Sequence, residues 1–166
     1  MLTAHELIGF MSPKLAAEIL EHAHSSEKEV YKATLAAVAQ ARKVRPVFLE
    51  RQPRAEQHNA IIATLSRPSM DLAAAGLLRC WLLKKHTALL TDFLDALGLS
   101  HKGGVVDDLP EAMDDAKLRS AVDAVLAKHP PDVVTVYLHA FCEMNETRWP
   151  NLESLLETDS RLQLGG

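Results

Sequence analysis

The chain has 166 residues, a formal net charge of −4, 48% hydrophobic residues and 24% charged residues. That length suits one domain burying roughly 70% of its unfolded surface, so neither a disulfide nor a metal is required for stability, and the composition excludes wholesale disorder. The negative balance weighs against general nucleic-acid binding, and the absence of a run of about 18 apolar residues argues against a membrane span.

The N-terminal segment carries Glu6 and Glu18 and no basic stretch, so it does not read as a signal peptide. Residues 3–10 read as a short helix. Ser12-Pro13 is a helix start, with serine as the cap and proline at the first helical position. Leu15, Ala16, Ile19, Leu20 and Ala23 then recur at helical spacing. Ser26 and Glu29 form a capping-box pattern ahead of a second stripe through Val30, Ala33, Ala37 and Val38. This helix should end near Arg45, because a residue before proline is pushed out of helical geometry. Val47–Gln52 and Arg54–Leu65 read as two helical pieces bent at Pro53.

Residues 70–97 lie over residues 114–141 at a constant offset of 44, with matching apolar positions and six identities in 28. Each copy reads as two helices joined by a short turn, a supersecondary unit that stacks well. Gly98 stands where a left-handed cap belongs after the first copy. Residues 98–110 have loop chemistry, broken by Gly103-Gly104, and Pro110 is expected to open the next helix. The second turn falls at Pro130-Pro131. Val133–Tyr137 has strand composition but copies the helical spacing of Leu89–Leu97, so it is read as helix. Pro150 opens a last helix over 151–156.

The expected fold is therefore all-α: a single helical domain over 1–166, a compact bundle of antiparallel hairpins with a quasi-repeat of period 44. The alternative is a short solenoid. The hairpin period resembles that of HEAT-like arrays, whose internal pattern is too loosely matched here to carry any residue across.

Sites of chemistry are sparse. Glu21-x-x-His24 has the carboxylate–imidazole spacing of di-iron bundles, but no second such pair exists, and His139 with Glu143 supplies only two ligands. No metal and no cofactor are expected. There is no nucleophile motif and no phosphate loop. His86 and His129 fall near helix C-termini, where the dipole favours cations. Cys80 and Cys142 lie in apolar helical patterns and read as core thiols of a reducing, cytoplasmic compartment.

Charge is segregated. Residues 1–54 hold eight Lys/Arg against six Asp/Glu, and residues 55–166 hold ten against sixteen. Arg42, Lys43, Arg45, Arg51 and Arg54 crowd together with one aromatic, Phe48, while Asp107, Asp108, Glu111, Asp114 and Asp115 form an acidic run. The basic cluster is a candidate partner surface, to which Arg148 and Trp149 are added as interface residue types. Trp149 can alternatively cap the end of the fold. A single aromatic is too few for base stacking, so nucleic acid is not the expected partner. The expected partner is a protein or a second copy of the chain, and the 107–115 patch is one acidic candidate. The expected function is thus a non-enzymatic interaction or scaffold module. The alternative is a small-molecule or phosphate binder, or small enzyme, using Ser100, His101, Lys102, Asp107 and Asp108 in the 98–110 loop as acid–base groups.

Overall fold

The structure is a computed structural model and describes residues 1–165. It is all-α. Among the described residues there are ten α-helices, two short 3-10 turns and one pair of two-residue strands. No helix among them is long and apolar enough to cross a membrane. The chain divides into two compact units, essentially Leu2–Trp81 and Leu82–Leu164.

The first unit contains α1 (Ala4–Phe10), α2 (Pro13–Ser26), α3 (Lys28–Ala41), α4 (Pro46–Glu50), α5 (Arg54–Leu65), a 3-10 turn at Pro68–Met70 and most of α6 (Asp71–Lys85). Helix α2 starts as its sequence dictates: the Ser12 hydroxyl accepts a bond from the Leu15 amide. The capping box expected at Ser26 does not form. Ser26 ends α2, and the break falls one residue later at Glu27, whose side chain makes no cap bond. Helices α2, α3 and α5 pack together, burying Leu20, Leu35, Val38 and Ile61. His5 ties α1 to the start of α6, its amide and its Nδ1 lying 3.0 and 2.7 Å from Asp71 Oδ1.

The second unit holds α7 (Thr87–Ala96), β1 (His101–Lys102), β2 (Val105–Val106), α8 (Asp115–Lys128), α9 (Pro131–Met144), α10 (Pro150–Thr158) and a 3-10 turn at Ser160–Leu162. Residues 133–137 are helical despite their strand composition. Helices α6 and α8 begin 44 residues apart, as do α7 and α9, but α9 continues to Met144, one turn beyond the counterpart of Ala96. The core is aromatic. Phe93 meets Tyr137 and Phe141 edge-on at centroid distances of 5.6 and 5.5 Å, and Phe141 meets Trp149 at 5.6 Å. Burial pushes the Tyr137 phenol far above its ordinary range and the Cys142 thiol up to about 12, so both stay protonated.

Two aspartates one turn apart on α7 anchor its neighbours. Asp92 Oδ2 lies 2.8 Å from His129 Nε2 at the end of α8, and Asp95 Oδ1 lies 2.7 Å from His101 Nε2 in the hairpin. The hairpin is antiparallel, pairing His101 with Val106 and Lys102 with Val105. It turns through Gly103 and Gly104, both with positive φ. Gly104 is buried, and a Cβ there would sit 2.8 Å from Leu90 Cβ.

Pro110 does not open a helix. Residues 107–114 run as an irregular strap, and α8 begins only after Asp114, whose carboxylate accepts from the Lys117 amide. The strap is tied to a distant part of the chain. Trp149 Nε1 donates to the Pro110 carbonyl at 3.0 Å, and Asn151 Nδ2 donates to the Met113 carbonyl and Asp115 Oδ1, each at 2.7 Å. These donors tie the 107–114 backbone, ahead of α8, to the start of α10.

Two predictions follow from this packing. Gly104→Ala combines a left-handed backbone with a clash against Leu90, and should cost about 1–3 kcal/mol in thermal or denaturant unfolding; an unchanged melting temperature would refute the close approach. His58, 7% exposed between α2, α3 and α5, has its pKa lowered by burial, opposed by Glu21 and reinforced by Arg54 and His24. The unfolded chain therefore takes up the proton more readily. The contribution of neutral His58 is intact above about pH 6.5 and fades as pH falls toward the lower folded value. Between about pH 7.5 and pH 5, His58→Gln should lose less melting temperature than the parent protein; equal losses would argue against this role.

Candidate functional site

The basic segment forms a corner between α3 and α5, and its backbone is fixed from several sides. Helix α3 stops at Ala41 rather than near Arg45. The Val44 amide bonds to the Ala39 carbonyl and the Lys43 amide to that of Gln40, with Lys43 at φ 58°. This is the closing pattern of a helix whose left-handed position usually belongs to glycine. Pro46 then starts α4, and Leu49 plugs that short helix into the core at 2% exposure. Gln57 of α5 completes the lock. Its Nε2 donates to the Glu50 and Gln52 carbonyls at 3.1 and 2.8 Å, while its Oε1 accepts from the Tyr31 hydroxyl at 2.9 Å.

On this frame lies an open groove of about 590 Å³, lined by Val44, Arg45, Val47, Phe48, Arg51 and Gln52. Phe48 is 57% exposed and Val47 43%. The two stand side by side on α4.

The five cations of the cluster divide into two groups. Arg42 Nη1 lies 3.2 Å from Thr64 Oγ1 and 3.5 Å from the Ala60 carbonyl, clasping α5. Arg54 Nη1 donates to Glu21 Oε2 at 3.3 Å and its Nη2 to His24 Nε2 at 3.2 Å. Both arginines therefore serve the fold. Lys43, Arg45 and Arg51 are exposed and make no ion pair or side-chain hydrogen bond among the described residues.

The other sequence-derived residues separate likewise. Arg148 is exposed, but Trp149 is fully buried with its N–H given to Pro110, so it is not available as a contact anchor. Glu21 and His24, paired by the Glu-x-x-His spacing, are bridged by the Arg54 guanidinium, and His58 Nε2 lies 3.7 Å from Glu21 Oε1. Among the described residues no group of three His, Cys, Asp or Glu side chains is placed to hold a metal ion.

In the 98–110 segment the polar groups are spent on the hairpin. The Gly104 amide donates to His101 Nδ1 at 3.4 Å, which places the ring proton on Nε2 facing Asp95. Ser100 Oγ donates to Asp107 Oδ2 at 2.9 Å. Lys102 and Asp108 are exposed. Both nitrogens of His101 have a neighbour within the hairpin and α7.

A second, smaller cleft of about 260 Å³ lies between α3 and α6, floored by Ala33, Ala73 and Gly76. It carries no charged side chain on its lining.

Set against family models, curated proteins and solved structures, the chain matches none of them. The corner formed by residues 42–54 is a candidate on its own geometry. Sequence reasoning found its cations; it did not separate the structural ones from the open ones, and the exposed flank of Val47 and Phe48 was visible only as one aromatic among arginines.

Adjacent residues of α4 test the division between fold and surface. Phe48→Ala should change stability by no more than about 0.5 kcal/mol, because Phe48 is mostly in solvent. Leu49→Ala should cost about 2–5 kcal/mol by emptying a core position. Chemical denaturation of the two variants separates them, and equal costs would show that Phe48 is part of the core.

Proposed function

We propose that the chain is a non-enzymatic helical interaction module that docks an acidic, apolar partner segment on the 42–54 corner, in a cytoplasmic setting. The observation that carries this reading is the pairing of exposed Val47 and Phe48 with Lys43, Arg45 and Arg51, three cations without intramolecular partners among the described residues. Burying the apolar pair rewards contact by about 25 cal/mol per Å² removed from water. The cations select the partner's sign and speed its approach. Because Leu49, Gln57 and Arg42 already hold the corner, little ordering entropy is lost on binding. A buried thiol such as Cys142 supports a reducing compartment.

A nucleic-acid partner is disfavoured by the single aromatic and by the overall net charge of −4. The alternative of a small-molecule site at 98–110 is weakened because His101, Ser100 and Asp107 are already bonded to their neighbours.

The test is fluorescence anisotropy with a short labelled peptide in which leucines are interleaved with glutamates, and with its lysine counterpart as control. The glutamate peptide should bind, and binding should weaken with salt. Lys43→Glu/Arg45→Glu/Arg51→Glu should lower its affinity by at least about tenfold, while the circular dichroism spectrum is unchanged. Equal affinity for the variant and the parent, or equal affinity for the two peptides, would overturn the reading.

A further inference from the structure

We infer that the acidic, apolar segment docked by this corner is residues 105–115, the strap with β2 before it and the first residue of α8 after it, of a second copy of the same chain. The inference rests on the docking reading above and names its occupant.

The strap has the chemistry the groove asks for. Its sequence, VVDDLPEAMDD, interleaves apolar residues with five carboxylates. Val105 is 46% exposed at its start, and Leu109 and Met113 are half-buried along it. Asp108 and Glu111 are exposed and make no ion pair or hydrogen bond among the described residues. Three open cations beside Val47 and Phe48 therefore face, on another copy, open carboxylates beside Val105 and Leu109. Opposite charge and matched apolar content make the two surfaces complementary.

The strap is also presented ready-made. Its backbone is tied from beneath, through the Pro110 and Met113 carbonyls, to Trp149 and Asn151. Its shape is set before any contact forms, and Asp108 and Glu111 are left exposed. The corner is fixed in the same manner by Gln57. Two rigid surfaces of opposite character lose little freedom on meeting. Because the two patches differ, the contact is heterologous: the groove of one copy takes the strap of the next. Mutual attraction of exposed charges is screened, so the association is sensitive to salt.

Sedimentation velocity on the full chain tests this at about 0.05 M and about 0.5 M salt over a range of concentrations. The expected result is a mass that rises with concentration at low salt and falls to that of the monomer at high salt. Arg45→Glu/Arg51→Glu on the groove and Asp108→Lys/Glu111→Lys on the strap should each weaken association by at least about tenfold. An equimolar mixture of the two variants should associate again, because each reversed patch then faces its complement. All four positions are exposed, and circular dichroism checks that each variant is folded. Monomer at every concentration at low salt, association untouched by the strap substitutions, or failure of the mixture to recover would overturn the proposal. If the chain stays monomeric while the leucine–glutamate peptide still binds, the second copy is the wrong occupant and the docking reading stands. If neither associates, both fall.

Discussion

A buried tryptophan must satisfy its one polar atom, and much of the 82–164 unit follows from how Trp149 does so. Its ring is fully buried against Phe141, which packs edge-on to Phe93 and Tyr137. Packing of this kind rewards each ring with apolar burial and with favourable edge-to-face electrostatics. The indole N–H cannot reach water, so it takes the Pro110 carbonyl. An interior packing decision therefore fixes the course of an exposed segment. That hydrogen bond and its neighbour at Asn151 hold the strap that precedes α8 and carries the exposed Asp108 and Glu111.

The 2–81 unit solves a similar problem with an amide. Gln57 has two donor hydrogens and an acceptor, and all of its bonds go to the corner or to Tyr31. The carbonyls at the end of α4 are satisfied, the turn at Pro53 is held, and α4 persists although five residues are too few to be helical alone. Arg42 and Arg54 spend their charge on α5, Glu21 and His24. The rest of the basic cluster is surplus to folding, and this is why it can be read as a surface. The same division explains the buried histidine. His58 sits beside a carboxylate that favours its charged form, and burial, helped by the Arg54 guanidinium, outweighs it in keeping the ring neutral.

Much of the helical layout was legible because helix ends are written in local chemistry. Ser12-Pro13, Gly98 and Pro131 each act through bonds or dihedral limits spanning a few residues, and each stands where its type implies. The failures have the opposite character. Pro110 carries a local helix-start signal, but the backbone there is irregular and tied to Trp149, 39 positions away. Ser26 and Glu29 match a capping box, but the turn places Glu27 at the break. Trp149 belongs to the residue types favoured at interfaces, yet it is a core residue. In the corner, the clustering of cations was plain from the sequence. Which of them are open depends on Thr64, Glu21 and His24, residues brought there only by folding.

The anchoring of the strap links a surface to a distant part of the chain. Trp149 and Asn151 flank Pro150 at the very start of α10, so the strap is only as well held as that helix is docked. Loosening α10 would free the Pro110 and Met113 carbonyls together. The strap backbone would then be able to enter a protease active site in the extended form such enzymes require. Cleavage between residues 107 and 114 would thus report on events at the start of α10, the helix that holds the acidic strap in its shape.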